Sequence, residues 1–197
     1  MLKFIYGVMG SSKSAQALIT RHNYIQNGFD VILIKPSVDD RFDEETRMVR
    51  SRIGLSARCD VFDHETDLKS FLFNSTQNKN PLFGGKCIII VDEVQFCTKQ
   101  QIDQLKELSS MIDIFCYGLR TNFKSELFEG SKRLFELADE LENISHICKC
   151  GKQALINARF KDDQICLDGE EIQIGDIEYK PLCYTCYQLE IKNRRVK

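Results

Sequence analysis

Short apolar runs alternate with longer mixed segments along roughly the first 140 residues of the chain. Four of these runs predict strands, at residues 4–6, 31–34, 87–91 and 112–117. Runs without polar alternation are typical of strands that are buried on both faces of a parallel sheet. The first part of the chain is therefore predicted to contain a parallel sheet that is covered on both sides.

Helical spacing appears between and after these runs. Residues 15–25 have apolar positions at helical intervals and are followed by Asn27 and Gly28, which are typical of a helix end. Residues 99–111 place Ile102, Leu105 and Leu108 on one stripe, and residues 129–141 predict another helix. Alternation of strands and helices predicts an α/β fold.

The pattern changes after Glu142. Strand-like stretches at residues 154–156 and 171–174 are separated by polar turns, and closely spaced cysteines bracket them. We therefore expect a boundary near residues 145–147. It would separate an α/β domain over residues 1–145 from a small domain over residues 146–197.

The charge balance limits the kinds of partner that the chain can attract. The 197 residues include 27 basic and 29 acidic side chains, for a net charge of −2. No basic excess draws the chain to nucleic acid or to an acidic membrane, so neither is expected as a partner. Its apolar runs are far shorter than the roughly 20 residues that span a bilayer, and its start turns polar too soon for a secretory signal. We expect a cytoplasmic protein.

The turn between the first predicted strand and helix has the pattern of a phosphate-binding loop. Such loops direct backbone N–H groups and a helix N-terminus at phosphate oxygens. Lys13 would bridge the β- and γ-phosphates, and the Ser14 hydroxyl would bind Mg²⁺. The predicted nucleotide-binding residues in this loop are Gly7, Val8, Met9, Gly10, Ser11, Ser12, Lys13 and Ser14.

Ser12 departs from the usual pattern, which has glycine before the lysine. If the backbone needs a positive φ at this position, serine costs about 1 kcal/mol or more. Taken by itself, the stretch is equally compatible with a solvated turn rich in glycine and serine.

Two carboxylates, Asp92 and Glu93, follow the third apolar run. Open α/β sheets bind ligands at the carboxyl ends of their strands. Asp92 is suited to hold Mg²⁺ through water together with Ser14, and Glu93 is free for proton transfer. The alternative for such a pair is an ordinary polar start to a loop.

Nine cysteines without a secretory signal argue against a disulfide framework. Single cysteines such as Cys87 and Cys116 lie in apolar runs and are expected to be core residues. Two pairs differ, because four thiolates from two turns can form a tetrahedral zinc site of structural type. The predicted zinc ligands are Cys148, Cys150, Cys183 and Cys186, with Cys166 and His146 as weaker alternatives.

A series of longer strings in this chain resembles the type II thymidine kinases over residues 1–187. Besides the Gly-x-Met start of the phosphate loop and the final cysteine pairs, these are KPSVDDR at 35–41, SRIGL at 51–55, VDEVQF at 91–96, YGLRTNF at 117–123 and FEGS at 128–131. The resemblance implies a P-loop, RecA-like sheet with a small zinc-binding lasso domain. It also implies transfer of the γ-phosphoryl group of ATP-Mg to the 5′-hydroxyl of thymidine or deoxyuridine.

The resemblance further implies roles for individual residues. Glu93 matches the catalytic base, and Gln95, Asp39 and Arg41 match residues on the nucleotide side. The positions that match the thymine pocket are Met9, Phe96, Phe128 and Tyr179, together with Ile174, Gly175 and Asp176 of a lasso over about residues 160–179. Stacking of a planar base between such side chains is physically reasonable.

Members of that family are typically homotetramers that are inhibited by thymidine triphosphate, and both properties are implied for this chain. Four residues depart from the family pattern: Ser12, Val94, Asn122 and Leu127. Two alternatives stay open. One is a P-loop ATPase whose zinc ribbon acts on nucleic acid, and the other is a nucleotide sensor with impaired turnover.

Overall fold

The computed structural model describes residues 1–37, 47–74, 86–169 and 178–195. The strands are β1 (Leu2–Gly7), β2 (Asp30–Pro36), β3 (Met48–Arg50), β4 (Ser56–Arg58), β5 (Asp60–Phe62), β6 (Cys87–Val91), β7 (Asp113–Leu119), β8 (Glu140–Asn143), β9 (Ile156–Lys161), β10 (Gln164–Cys166) and β11 (Glu178–Leu182). The helices are α1 (Lys13–Gln26), α2 (Leu68–Asn74), α3 (Lys99–Leu108), α4 (Glu129–Leu137) and α5 (Tyr184–Arg195), with a 3₁₀ turn at Val94–Phe96.

The main sheet has six parallel strands in the order β5-β2-β6-β7-β1-β8. All five residues of the central strand β6 are buried, because helices cover both faces of the sheet. Ile89 and Val91 pack with residues of α2, α3 and α4, whereas Ile88 and Ile90 pack on the opposite side with residues of α1. The predicted α/β fold with a parallel sheet is confirmed.

Helix α3 begins where its sequence favours a start. The Thr98 hydroxyl accepts a hydrogen bond from the backbone N–H of Gln101, and the Gln101 side chain accepts one from the backbone N–H of Thr98. This capping box satisfies two donors at the helix start. It also fixes the direction of α3 relative to the 3₁₀ turn that follows β6.

The helix predicted over residues 129–141 is too long. Helix α4 ends at Leu137, and Ala138 is extended, with ψ 139°. The next residues form β8, an exposed edge strand that pairs with β1, and Lys3 Nζ lies 2.8 Å from a Glu142 oxygen. Pairing with a strand far away in sequence overrides the helical spacing, and it leaves Leu141 50% exposed.

The C-terminal part contains a separate antiparallel sheet in the order β10-β9-β11, which we call the ribbon sheet. The strand predicted at residues 154–156 begins at Ile156 and continues to Lys161. Ala158, Phe160 and Leu182 form part of its hydrophobic core. The strand predicted at residues 171–174 lies outside the described residues.

Candidate active site

A cavity of about 490 Å³ opens at the carboxyl ends of the strands of the main sheet and reaches the ribbon sheet. It brings together many of the residues singled out from the sequence: Met9, Gly10, Ser12, Lys13, Ser14, Glu93, Gln95, Phe96, Phe128 and Tyr179. Gly7, Val8, Ser11 and Asp92 lie next to this lining rather than in it. Asp39, Arg41, Ile174, Gly175 and Asp176 lie outside the described residues.

The phosphate loop turns sharply before α1. Gly10 has φ 80°, and Ser12 has φ 64° in the left-handed region. Ser12 does not cap α1 with its side chain, so this hydroxyl does not satisfy the first N–H groups of the helix. At Gly7 there is no room for a side chain, because an added Cβ would lie 2.9 Å from the backbone carbonyl oxygen of Ile144.

Lys13, the first residue of α1, is 8% exposed and donates a hydrogen bond from Nζ to the carbonyl of Val8 at 2.8 Å. Burial lowers the pKa of this ammonium group, and the nearby carboxylates of Glu93 and Asp92 oppose that change. A positive charge next to helix N–H groups is the arrangement that binds phosphate. The site can therefore receive an anionic ligand.

Asp92 follows β6 and is 4% exposed. Burial raises the pKa of its carboxyl group to about 7, and the charge of Glu93 adds to this effect. A hydrogen bond with Ser14 acts in the opposite direction. Hydroxyl and carboxylate oxygens are ligands that Mg²⁺ prefers, and a cation would offset the cost of a buried carboxylate, so Ser14 and Asp92 fit a nucleotide-bound Mg²⁺.

Glu93 adopts a left-handed conformation with φ 52° and directs its side chain into the cavity lining. Gln95 holds it there, because Nε2 of Gln95 donates to Glu93 Oε2 at 2.6 Å. The other amide atom, Oε1, accepts from the backbone N–H of Leu119 at 3.0 Å. A side chain at Gly118 would collide with this amide at 2.7 Å. The Gln95 amide is therefore committed to fixing the carboxylate.

Several aromatic side chains line the same cavity as the phosphate loop: Phe96, Phe123, Phe128 and Tyr179. The rings of Phe96 and Phe128 meet edge to face, with 5.7 Å between their centroids. The guanidinium of Arg159 stacks 3.6 Å from the centroid of Phe123, and its Nε donates to the Tyr179 hydroxyl at 2.9 Å. Aromatic rings of this kind can stack on a planar ligand, and we call this part of the cavity the aromatic slot.

Sequence reasoning assigned no role to several polar residues at or near this cavity, of which three stand out. Arg52 lines it beside Gly10, although its string had been noted without a role. Asn157 and Arg159 are 3% and 1% exposed. The available signal was their position in the otherwise apolar stretch of residues 154–160, since buried polar side chains need partners.

Four cysteines lie together beside the ribbon sheet. The sulfur atoms of Cys148, Cys150, Cys183 and Cys186 are all within 4.8 Å of one another. Cys150 Sγ and Cys183 Sγ are 3.5 Å apart, close to the roughly 3.8 Å that tetrahedral Zn–S bonds of about 2.3 Å imply. Cys166 and His146 are outside this group within the described part of the chain.

The thiols of this group do not ionise alike: a hydrogen bond with Cys150 and burial raise the pKa of Cys186 to about 12, whereas the pKa of Cys148 is lowered. Burial disfavours the thiolate of Cys148, but hydrogen bonds from the backbone N–H groups of Cys150 and Cys183 and from neighbouring thiols outweigh it, so its pKa falls to about 6. Four thiolates fit zinc and leave no coordination position for a catalytic water. The cluster is consistent with a structural zinc site.

Comparisons with known proteins point to a single family. The family model described as thymidine kinase matches residues 1–187. A thymidine kinase of Pasteurella multocida is 39% identical, covering 96% of this chain and 97% of its own length. The thymidine kinase of Enterobacteria phage T4 is 36% identical over 92% of each chain.

Among solved structures, an ATPase domain is 13% identical and aligns over 74% of this chain and 69% of its own, with a TM-score of 0.46. This likeness is too weak to support an argument. Within the described residues, no helix has the length and apolar character to cross a membrane.

Proposed function

The chain belongs to the thymidine kinase family, and from this premise we propose how the cavity performs the phosphorylation of thymidine by ATP. The observation that carries the proposal is that Lys13, Glu93 and Tyr179 all line the same cavity. This cavity contains a phosphate-binding loop, a carboxylate and an aromatic slot. These are the three parts that transfer of a phosphoryl group to a nucleoside needs.

The triphosphate of ATP binds at the phosphate loop. The N–H groups at the start of α1 and the Lys13 ammonium group bind its β- and γ-phosphate oxygens. Ser14 and Asp92 would hold the accompanying Mg²⁺, which would supply positive charge to offset that of the transferring group. Asp39 and Arg41 stay predicted contributors on the nucleotide side.

Glu93 removes the proton from the 5′-hydroxyl group of the nucleoside. The sugar oxygen then forms a bond to the γ-phosphorus, the bond to the bridging oxygen of ADP breaks, and the proton stays on the Glu93 carboxylate. Gln95 supports this step because its hydrogen bond to Oε2 keeps the carboxylate in one orientation. Positioning of the two reacting groups supplies a large part of such an acceleration.

The thymine ring occupies the aromatic slot. Phe96, Phe128 and Met9 line it, and Tyr179 closes the side next to the ribbon sheet. Ile174, Gly175 and Asp176 remain predicted contacts to the ring edge. Deoxyuridine, which lacks only the ring methyl group, is proposed as a second substrate.

Several further properties complete the proposal. Zinc bound by the four cysteines would stabilise a C-terminal domain over residues 146–197. Thymidine triphosphate, which combines features of both substrates, would inhibit by occupying both parts of the cavity. A homotetramer is proposed on the family resemblance alone, and a cytoplasmic location on the short apolar runs and early polar residues of the sequence.

The test is phosphorylation of radiolabelled thymidine by the wild type and by Glu93→Gln. Removing a general base should lower kcat about 10²- to 10⁴-fold, while ATP binding stays near the wild-type value. Glu107→Gln, an exposed change on α3, is the matched control and should keep full activity. Full activity of Glu93→Gln would contradict the base assignment.

The assay also separates the alternatives. ADP formation that requires single-stranded DNA would point to a nucleic acid-dependent ATPase, and nucleotide binding without turnover would point to a sensor. Neither alternative is favoured, because the matched relatives are kinases over nearly their whole length.

A further inference from the structure

Asn157, in β9, fills the space between the ribbon sheet, the phosphate loop and the residues that follow β7. Its Oδ1 accepts a hydrogen bond from the backbone N–H of Met9 at 2.7 Å, and its Nδ2 donates to the carbonyl of Thr121 at 3.1 Å. One partner can only donate and the other can only accept, so the orientation of the amide is fixed. At 3% exposure, water cannot readily replace either bond.

Val8, the residue before Met9 in the phosphate loop, also contacts the C-terminal part of the chain. Val8 is 6% exposed and packs in the same hydrophobic cluster as Cys148, Ile156 and Tyr187. Two consecutive residues of the phosphate loop are therefore fixed by the C-terminal part of the chain. One is fixed by packing and the other by a hydrogen bond.

The same face of β9 reaches the aromatic slot. Arg159 follows Asn157 by two residues, a spacing that places both side chains on one face of a strand. Arg159 stacks on Phe123 and donates to the Tyr179 hydroxyl. One strand face thus contacts both the phosphate loop and the wall of the proposed nucleoside slot.

We propose that Asn157 is a positioning residue that couples nucleoside binding to nucleotide binding, an inference that rests on the proposed function. A nucleoside packed against Tyr179 restrains β9, and Asn157 transmits this restraint to the N–H group of Met9. A loop that is already ordered costs less entropy to order around a triphosphate. Each ligand therefore tightens the binding of the other by the same factor.

The experiment measures the dissociation constant of thymidine by calorimetry, with and without Mg²⁺ and a non-hydrolysable ATP analogue. In the wild type the analogue should tighten thymidine binding at least about fivefold, the lower end of typical coupling. In Asn157→Leu, which keeps the volume but removes both hydrogen bonds, the factor should fall close to one.

The matched control is Gln104→Leu on α3. Gln104 is also a buried amide, 7% exposed, that accepts from the backbone N–H of Leu68 and donates to Asp67. It is absent from the cavity lining. Its loss should lower stability in a similar way but keep the wild-type coupling factor.

Hydrogen exchange gives a second readout. A peptide over residues 7–14 should exchange faster in Asn157→Leu than in the wild type or in Gln104→Leu. If Asn157→Leu does not fold, Asn157→Ala, which adds no bulk, takes its place in both measurements.

Two results would overturn the inference alone: a coupling factor of one in the wild type, or an unchanged factor in the Asn157 variant. Failure of the wild type to bind thymidine would instead overturn the proposed function, and this inference with it.

Discussion

Ser12 carries the backbone from the phosphate loop into α1 in a left-handed conformation, with φ 64°. An L-amino acid pays about 1–2 kcal/mol for that conformation because its Cβ approaches the following carbonyl oxygen, whereas glycine does not. The serine that replaces the usual glycine therefore stores strain in the segment proposed to bind the triphosphate. The rest of the loop compensates through packing and hydrogen bonds.

We expect Ser12→Gly to raise the free energy of unfolding by about 0.5–1 kcal/mol, since relief of strain exceeds the added entropy of the unfolded chain. Ser125→Gly is the control, because Ser125 also has a positive φ, 67°, on an exposed turn outside the cavity lining. Both variants should melt at higher temperature, and only Ser12→Gly should change the KM for ATP. A lower melting temperature for Ser12→Gly would contradict the strain assignment.

Arg159 holds Tyr179 through its shape as well as its charge. Lysine at this position keeps the charge but loses the planar stack on Phe123 and the fixed Nε donor. We expect Arg159→Lys to raise the KM for thymidine about tenfold, with a smaller change in the KM for ATP. Steady-state kinetics with each substrate varied in turn provides the measurement.

Arg133→Lys controls for that experiment. Arg133 pairs with Asp103 and Glu136 on the outside of α3 and α4, away from the cavity lining. This change should leave both KM values near wild type. Equal rises in the two KM values for Arg159→Lys would argue for general disruption rather than for positioning of Tyr179.

Residues at strand ends could be predicted, whereas residues with distant partners could not. Lys13, Asp92 and Glu93 stay predicted site residues, and they are recognisable because each lies in a local turn after an apolar strand. Asn157 was not recognised because its partner, Met9, is 148 residues away. A buried amide gives no sign in the sequence of what it will bond.

Strands that depend on local sequence could be predicted, whereas a strand that depends on a distant partner could not. The parallel strands β1, β2, β6 and β7 were predicted because continuous apolar runs identify strands with two covered faces. The first two residues of the edge strand β8, Glu140 and Leu141, fall inside the helix predicted over residues 129–141, because β8 contains no apolar run and Leu141 continues the helical spacing. Its existence depends on pairing with β1, which local spacing cannot reveal.

A metal bound by the four cysteines would influence more of the molecule than the ribbon sheet. Cys148 shares a hydrophobic cluster with Val8, so loss of metal should loosen the phosphate loop as well as the nucleoside slot. We expect Cys186→Ser or treatment with a strong chelator to remove about one zinc ion per chain and to raise both KM values. Elemental analysis and kinetics on the same samples provide the measurement.

Cys166→Ser is the control for the metal experiment, because Cys166 lies on β10 outside the four-cysteine group. It should keep the zinc and both KM values. Full activity of a metal-free Cys186→Ser protein would show that the ribbon sheet holds its shape without the metal.

At the scale of the whole molecule, the cavity is a product of tertiary assembly. The main sheet supplies the phosphate loop and the carboxylates, the β3–β4 hairpin supplies Arg52, and the ribbon sheet supplies Asn157 and Tyr179. The boundary near residues 145–147 stays a prediction from the change in sequence pattern. The contacts of Met9 and Val8 nevertheless cross that division.

The packing of Val8 limits how such a chain can be recombined. An exchange of C-terminal segments between relatives would bring in a foreign pocket for this valine and a foreign partner for the neighbouring amide. A functional hybrid must therefore take Val8 and Met9 from the same parent protein as the C-terminal segment that contains the four cysteines.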